Sequence, residues 1–411
     1  MIGSALVLVR TATTSPARHP RTAVVIGRLL GLGFVICFGT GLFSHFLQDP
    51  LPGMTFLTRP IWLYRLTQGV HVGVGTALIP LLLAKLWTVY PLLFAWPPVR
   101  SIGGVLERAM IALLVSASLV ELATGISDTF QWYPAPFYFR QAHFALAWAI
   151  VGSLAIHIGV KLPVIVRWWR RARSLDAAGA LLPVQEGEGD LRPEPRVRGI
   201  TGAVQRSIDR APQPPAAVSR RTVIVGTTLA SAAVVALTAG ETLPALAPID
   251  VFAPRRLRYG PQGLPVNRTA AEAKVNRTAL DPAWRLTVQG PDRSVQLSLG
   301  DLRGMRQTDA GLPIACVEGW STQAHWRGVA VTDLADLVGA RGREWLVHSF
   351  ATGAYSTTIL QREFAADPMT LVALELNGEI LHVDHGYPAR LISPARPGVL
   401  QTKWLRSLVA R

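Results

Sequence analysis

The sequence predicts a multidomain chain in which an all-α transmembrane helical bundle, four helices plus a fifth anchor helix, precedes an α+β, mainly β, domain. Hydrophobic residues make up 50% of the 411 residues and charged residues only 16%, well below the roughly 25% that is usual in soluble domains. The first two-thirds of the chain contains five apolar stretches of bilayer-spanning length. After residue 255, short apolar runs alternate with Gly and Pro turns, which is typical of β structure.

The five apolar stretches define the predicted membrane helices. They lie near residues 22–47, 66–92, 105–127, 142–166 and 222–243. The fourth ends in a basic and aromatic segment from Lys161 to Arg170, of the kind found at membrane interfaces. The predicted organisation is a cytoplasmic tail (1–21), a four-helix membrane domain (22–170), a linker (171–221), a fifth transmembrane helix (222–243) and a C-terminal domain (255–411).

The distribution of arginine predicts the orientation of these helices. Residues 1–28 contain four arginines and no acidic residue, and residues 167–221 contain eleven arginines against six acidic residues. Because segments rich in Lys and Arg stay in the cytoplasm, the fifth helix is expected to deliver the C-terminal domain to the outside of the plasma membrane. The net charge of +15 thus has a topological explanation, which we prefer to a nucleic-acid partner.

The segment between the fourth and fifth helices carries a possible export signal. Residues 171–221 are rich in Pro, Gly, Ala and charge without apolar periodicity, which predicts a disordered cytoplasmic linker. It ends in Ser219-Arg220-Arg221-Thr222, which resembles a twin-arginine signal placed internally. Such a signal implies that the downstream domain folds around a cofactor before it crosses the membrane. The alternative is that the two arginines are ordinary positive-inside residues.

Four histidines fall within the predicted spans, where ionisable residues are costly and therefore candidates for function. His71 and His143 open the second and fourth helices near the outer face, at the similar depth that a bis-imidazole haem requires. His45 ends the first helix at about that depth, and His157 lies 14 residues after His143 on one helix face. The region resembles bacterial four-helix b-type cytochromes, which implies haem b bound by His71 and His143, with His45 or His157 as alternates. The alternative is that these histidines cap helices or bond neighbouring helices.

Local patterns predict individual elements in the C-terminal domain. Residues 285–290 and 371–376 have the composition of strands, and Asn377-Gly378 is a hairpin turn signal. Residues 331–338 predict a short helix. These signals, interrupted by frequent turns, favour an α+β domain that is mainly β.

Two motifs in this domain indicate its chemistry. Cys316 stands in Cys316-Val-Glu-Gly-Trp320, and a second segment runs from Asn377 through His385-Gly-Tyr-Pro-Ala-Arg390 to Thr402-Lys403-Trp404. The first resembles the molybdenum-binding segment of the sulfite oxidase family and the second resembles that family's cofactor-holding segment. The resemblance implies a sulfite-oxidase-type molybdopterin domain in which Cys316 is the catalytic residue and the protein ligand of molybdenum.

The same resemblance implies further contacts to the cofactor. A soft thiolate suits a thiophilic metal, while an anionic cofactor that carries a pterin needs cations and hydrogen-bonding groups. Arg390 can make forked contacts, and Lys403 can supply a point charge. The implied cofactor-binding residues are Asn267, Arg268, Thr352, His385, Arg390, Thr402 and Lys403.

The Cys-Val-Glu-Gly-Trp form of the motif looks closer to the periplasmic methionine sulfoxide reductase catalytic subunit than to the vertebrate-type sulfite oxidases. This likeness implies oxygen-atom transfer at molybdenum, with reduction of an S-oxide or similar substrate, either a small molecule or protein-bound. Electrons would be exchanged through the membrane haem b with the quinone pool or another redox donor. Two alternatives stay open: a sulfite-type dehydrogenase that feeds electrons into the membrane, and a non-catalytic membrane electron-relay protein.

Overall fold

The computed structural model describes residues 16–89, 102–134, 136–170, 174, 219–353 and 355–411. Most of the predicted tail (1–21) and nearly all of the predicted linker (171–221) lie outside these residues. The chain forms two compact units. They divide the chain at positions other than the domain boundaries suggested by the sequence, and those boundaries stay a prediction.

The five predicted apolar helices are confirmed. They are α1 (Pro20–Gln48), α2 (Leu63–Val89), α3 (Ile102–Phe130), α4 (Phe139–Trp169) and α5 (Arg220–Thr238). Each is long and apolar enough to cross a membrane. The helix α5 ends five residues earlier than residue 243, because Glu241 and Pro244 interrupt the apolar run and the backbone continues as short 3₁₀ turns.

The first unit contains the larger parts of these helices, in the segments Met1–Phe38, Val74–Asp128 and Trp132–Val235. Two of its lysines contact groups on neighbouring helices. Lys161 Nζ on α4 lies 2.7 Å from Glu107 Oε1 on α3, and Lys85 on α2 donates to the Ala23 carbonyl at 2.9 Å. Such pairing compensates the cost of placing these charges against apolar helices.

The second unit comprises Gly39–Gly73, Thr129–Gln131 and Ala236–Arg411. The end of α1, the start of α2 and the loop between them therefore fold together with the C-terminal domain. In that loop Arg59 makes two hydrogen bonds to Asp367, at 2.6 and 3.1 Å. Leu47 and Tyr64 are buried in the same hydrophobic core as the strands.

Two five-stranded sheets confirm the prediction of a mainly β domain. The strands are β1 (Arg285–Gln289), β2 (Ser294–Ser298), β3 (Thr308–Ala315), β4 (Ser321–Ala330), β5 (Trp345–Ser349), β6 (Thr357–Leu360), β7 (Leu371–Leu376), β8 (Glu379–Ile380), β9 (Arg390–Ile392) and β10 (Leu405–Ala410). One sheet has the order β2-β1-β10-β5-β6, and its β1 and β10 are parallel. The other has the order β3-β4-β7-β8, with β9 paired to β7. The short helix α6 (Asn276–Ala279) precedes β1, and the short helices α7 (Leu299–Gly304), α8 (Val331–Leu337) and α9 (Arg362–Ala365) connect strands.

The strand pattern follows side-chain alternation. Along β4, Ala324 and Trp326 are buried while His325 and Arg327 are exposed, as expected for a strand with one face on the core. The strand β7 is buried on both faces, because Val372 and Leu374 pack in one hydrophobic core while Leu371 and Ala373 pack in another. The predicted turn at Asn377-Gly378 joins β7 to β8, and both of its residues have positive φ.

Candidate functional site

Cys316 begins the tight loop between β3 and β4. The strands pair up to Ala315 and Ser321. The loop is closed by the N–H of Cys316, which donates to the Trp320 carbonyl at 2.9 Å. Gly319 has a φ of +107°, which lets the chain turn back within five residues. The loop Cys316–Trp320, termed the cysteine loop below, holds the thiol in a buried position.

The environment of the thiol combines burial with nearby charges. Burial raises the pKa of the Cys316 thiol well above its ordinary value, and the Glu318 carboxylate raises it further. The N–H of Glu318, which donates to the Cys316 sulfur, and the ammonium of Lys403 both lower it. Because a metal binds the thiolate, binding at Cys316 must release the thiol proton.

Arg390 and Lys403 supply two buried cations. Arg390 donates from Nη1 to the His385 carbonyl at 3.2 Å. Its Nε has no hydrogen-bond partner among the residues that the structure describes. Burial lowers the pKa of Arg390 to about 10. Burial, followed by repulsion from Arg390, lowers the pKa of Lys403 to about 7.

His385 is held in its neutral form. Burial lowers its pKa to about 4. Its Nε2 lies 2.8 Å from the Pro261 carbonyl, so this nitrogen carries the hydrogen. The next residue, Gly386, has a φ of +111°, and a Cβ there would lie 3.1 Å from the Cβ atoms of both Arg390 and Lys403. Glycine at this position therefore allows the close approach of the two cationic residues.

The structure brings five of the residues selected from the sequence into one cleft. They are Asn267, Cys316, His385, Arg390 and Lys403. Apolar walls are provided by Leu264, Ile314 and Trp320. A thiol, two cations, an amide and a neutral imidazole thus face the same space, although their positions in the sequence span more than a hundred residues.

The remaining three residues lie beside the cleft without lining it. Arg268 donates to the Thr352 carbonyl at 3.1 Å, and its own carbonyl accepts a bond from Lys403 at 2.8 Å. The side chain of Thr352 is exposed. The Thr402 hydroxyl is buried and lies 2.9 Å from the Thr358 hydroxyl. A direct contact of these three side chains with a cofactor stays a prediction.

Sequence reasoning missed two buried carboxyl groups beside the cysteine loop. Glu318 accepts hydrogen bonds from Trp320 at 3.1 Å and Arg255 at 3.3 Å, and burial raises its pKa although Arg255 opposes this. Glu241 is buried as well, which raises its pKa to about 8. An isolated acid in an apolar run, as in Ala239-Gly-Glu241-Thr-Leu243, was the available signal.

Two of the histidines in the apolar helices make contacts with neighbouring helices. His71 Nδ1 lies 3.2 Å from Thr40 Oγ1 on α1. In the other unit, His143 lies 3.2 Å from Glu121 and 3.0 Å from Thr124, both on α3. These contacts agree with the alternative that the histidines bond neighbouring helices.

The two other histidines proposed as haem ligands lie on α1 and α4. The ring of His45 packs against Phe46, with centroids 5.6 Å apart. His157 lies half-buried on α4. Haem ligation by any of the four histidines stays a prediction.

The fold and the cleft define the class of the C-terminal domain. Residues 272–411 match the oxidoreductase molybdopterin-binding domain. Together with the relatives described next, this match shows that the C-terminal region is a molybdopterin-binding oxidoreductase domain of the sulfite oxidase family, as the two motifs indicated.

Curated relatives match parts of this chain. The uncharacterized oxidoreductase YuiH of Bacillus subtilis is 32% identical over 127 residues, which cover 30% of this chain and 64% of that protein. YedZ1 of Azospira oryzae, named as a candidate protein-methionine-sulfoxide reductase subunit, is 32% identical over 27% of this chain and 42% of its own. The mitochondrial sulfite oxidase of Rattus norvegicus is 32% identical over 31% of this chain and 29% of its own. The chain thus spans less than two-thirds of each of these relatives.

The residues of the cleft fit a molybdopterin cofactor. The thiol of Cys316 is a donor for a thiophilic metal, and Arg390 and Lys403 are suited to an anionic group. The unpartnered Arg390 Nε is a buried donor that such a group can satisfy. No cluster of three or more His, Cys, Asp or Glu side chains suited to a metal occurs within the described ranges.

Proposed function

We propose that this chain is a membrane-bound molybdopterin-dependent oxidoreductase that carries out oxygen-atom transfer outside the cytoplasm. The observation that carries the proposal is the cleft in which Cys316 meets Asn267, His385, Arg390 and Lys403. In a protein with an unrelated function, a buried thiol beside two buried cations would incur a desolvation cost without a ligand to offset it.

The side chains of the cleft have separable roles. Cys316 binds molybdenum as a thiolate, and Arg390 and Lys403 neutralise the anionic cofactor. His385 remains neutral near pH 7 and is oriented by its bond to Pro261. Bound in this cleft, the cofactor supplies a two-electron centre for oxygen-atom transfer.

Protons must accompany the electrons when an S-oxide is reduced, because its oxygen leaves as water. Glu318 is a buried acid on the cysteine loop, and burial raises its pKa while the charge of Arg255 opposes the rise. Its Oε2 accepts bonds from Arg255 and Trp320, so the group has a defined orientation beside the loop. We assign it the task of holding a proton near the reaction.

The favoured substrate is an S-oxide or a similar oxidised group, either on a small molecule or on a protein. The resemblance of the cysteine motif and the name given to the relative YedZ1 both support reduction. The mitochondrial sulfite oxidase relative supports the alternative, a sulfite-type dehydrogenase that feeds electrons into the membrane. The two are distinguished by direction: chemically reduced protein should reduce methionine sulfoxide, whereas the alternative requires oxidation of sulfite.

The proposed location is the plasma membrane, with the C-terminal domain outside. Five helices of sufficient length and apolarity support a multi-pass arrangement, and the arginine-rich segments support the orientation. Ser219 Oγ accepts the N–H of Thr222 at 3.1 Å, so the paired arginines begin α5 directly after a capping residue. This placement is compatible with a twin-arginine signal and also with ordinary positive-inside arginines.

Haem b is the proposed electron carrier within the helices, in exchange with the quinone pool or another donor. A Cβ at Gly41 would lie 3.0 Å from His71 Cε1, and one at Gly125 would lie 3.4 Å from His143 Cε1. Each histidine ring therefore packs closely against a glycine of a neighbouring helix, and a larger residue at that glycine would displace the ring. His45 and His157 are the alternates. A haem without molybdenum would favour the remaining alternative, a non-catalytic electron relay.

The first experiment is metal analysis with a reduced-minus-oxidised spectrum on detergent-purified full-length protein from a host that makes the cofactor. We expect about one molybdenum per chain, lost in Cys316→Ala and retained in the matched control Cys37→Ala. A haem b band lost in His71→Ala or His143→Ala, but retained in His157→Ala, would assign the haem ligands. Wild-type protein without molybdenum would exclude the proposed enzyme.

A further inference from the structure

The cysteine loop is held by two side chains that lie outside the sheets. Gln68, on the second turn of α2, donates from Nε2 to the Val317 carbonyl at 2.8 Å. Thr242, just after α5, donates from its hydroxyl to the Gly319 carbonyl. Two backbone carbonyls of this five-residue loop therefore accept hydrogen bonds from side chains that are distant in the sequence. The separation is 249 positions for Gln68 and 77 positions for Thr242.

Gln68 is itself oriented by a chain of hydrogen bonds. The Tyr64 hydroxyl donates to Gln68 Oε1 at 3.3 Å. The same hydroxyl lies 3.1 Å from Ser44 Oγ on α1. Because Oε1 accepts from Tyr64, the NH₂ group of Gln68 must point at the loop. Tyr64 and Gln68 are almost fully buried, so the orientation does not compete with solvent.

The next turn of α2 packs against the same loop. A Cβ at Gly319 would lie 3.1 Å from Val72 Cγ1, closer than most side-chain contacts. Gln68 and Val72 are four residues apart and therefore share one face of the helix. One helix face thus bonds the loop at Val317 and contacts it at Gly319.

A single peptide unit connects Gln68 with the sulfur of Cys316. The Val317 carbonyl that accepts from Gln68 belongs to the same peptide group as the N–H of Glu318. That N–H donates to the Cys316 sulfur. In a trans peptide the C=O and the N–H point in opposite directions, so Gln68 lies on one side of this peptide group and the Cys316 sulfur lies on the other. A donor on the carbonyl polarises the peptide and strengthens the bond that its N–H makes.

We propose that Gln68 is a positioning residue for the molybdenum ligand: through the Val317–Glu318 peptide it orients Cys316 and sets the strength of the N–H···S bond. The proposal rests on the proposed function, since it assumes that Cys316 ligates molybdenum. Hydrogen bonds to a ligating sulfur remove electron density from it and raise the reduction potential of the metal. Gln68 therefore links an apolar helix to the electronic properties of the active site.

The test compares Gln68→Leu with Gln307→Leu in full-length protein. Gln307 is a matched control because its amide also donates to backbone carbonyls, those of Leu302 at 2.8 Å and Met305 at 2.9 Å, in an unrelated loop. Tyr64→Phe is a milder second variant, which removes only the hydroxyl that orients Gln68. All variants carry Cys37→Ser, so that Cys316 is the one thiol available to a maleimide.

Two measurements test the proposal. In protein from a host without the cofactor, we expect Cys316 to be alkylated about fivefold more slowly in Gln68→Leu, because a weaker N–H···S bond leaves less of the reactive thiolate and one lost hydrogen bond produces about this factor. Tyr64→Phe should show a smaller decrease, and Gln307→Leu none. In loaded protein, redox titration followed by the electron paramagnetic resonance of molybdenum should show a lower midpoint potential in Gln68→Leu at unchanged metal content.

The outcomes distinguish failure of the positioning role of Gln68 from failure of the proposed function. Equal alkylation rates and equal potentials in the Gln68 and Gln307 variants would overturn the positioning role even if wild-type protein contains molybdenum. Faster alkylation without a shift in potential would show that Gln68 holds the loop but does not act on the sulfur, and would also overturn the proposal. Wild-type protein without molybdenum would exclude the proposed function and the ligand role together.

Discussion

Replacing Lys403 by methionine removes a buried ammonium group that should make the stability of the cofactor-free protein depend on pH. Lys403 Nζ donates to the carbonyl groups of Arg268 and Asp384, both at 2.8 Å, and lies 5.0 Å from the centre of the Trp404 ring. These contacts do not offset burial and the nearby charge of Arg390, which together lower the pKa of Lys403 from 10.5 to about 7.

The direction of the effect follows from proton binding. Between pH 7 and 10.5 the unfolded chain binds a proton at Lys403 that the folded protein does not bind, so the free energy of unfolding rises with pH in this window. From pH 7 to pH 9 the increase is at most about 2 kcal/mol, because a full proton is worth about 1.4 kcal/mol per pH unit and Lys403 is half-titrated at pH 7. Lys403→Met removes this increase.

The assay is urea unfolding of cofactor-free, detergent-solubilised protein, followed by tryptophan fluorescence at pH 7 and pH 9. Glu241 acts in the opposite direction, since its pKa is raised to about 8 and its contribution to stability is lost as the pH rises towards that value. The measured quantity is therefore the difference in pH dependence between wild type and variant. Lys274→Met, at an exposed lysine, serves as the control. Identical pH dependence in wild type and Lys403→Met would refute the reasoning.

Two further predictions concern packing and cofactor retention. Gly328→Ala should destabilise the protein by about 3 kcal/mol, because the added Cβ would lie 2.1 Å from the Val372 carbonyl oxygen. The control is Gly304→Ala, whose added Cβ points into open space. The control should be close to neutral in the same urea assay. Arg390→Lys should lower the affinity for the cofactor about tenfold, because a lysine cannot reproduce the forked contacts of a guanidinium. Molybdenum content after dialysis measures this loss, and a content equal to that of the exposed control Arg327→Lys would contradict it.

The parts of the fold with a local signal could be predicted from the sequence. The five helices follow from continuous apolar stretches, and β7 and its turn follow from an apolar run that ends in Asn377-Gly378. Cys316 could be found because its motif is contiguous. Arg390 and Lys403 could be found because they stand in one segment that resembles a known family. In each of these cases, the information lies within about twenty-five neighbouring residues.

Contacts between distant segments left no such signal. Nothing in the composition of residues 39–73 indicates that this stretch folds with the C-terminal domain, yet Arg59 pairs with Asp367 and Gln68 bonds Val317. A single polar contact has no periodicity, and the sequence cannot indicate which of many glutamines finds a buried carbonyl. Thr402 shows that a clear motif does not by itself place a side chain in the cleft. Its hydroxyl is buried and contacts the Thr358 hydroxyl instead.

The second unit contains the ends of α1 and α2 as well as the C-terminal domain, which gives a structural reason for having the helices and the catalytic domain in one chain. Leu47 and Tyr64, from the ends of α1 and α2, are buried in the same core as β1, β5 and β10. A catalytic domain cut at residue 255 would expose that core and lose the bond of Gln68 to the cysteine loop. Because each buried apolar side chain contributes about 1.5–3 kcal/mol and native domains are stable by only about 5–15 kcal/mol, these contacts are a substantial share of the stability. The segment Gly39–Gly73 is thus a structural part of the catalytic unit, and a change in these helix ends can reach Cys316 through one peptide group.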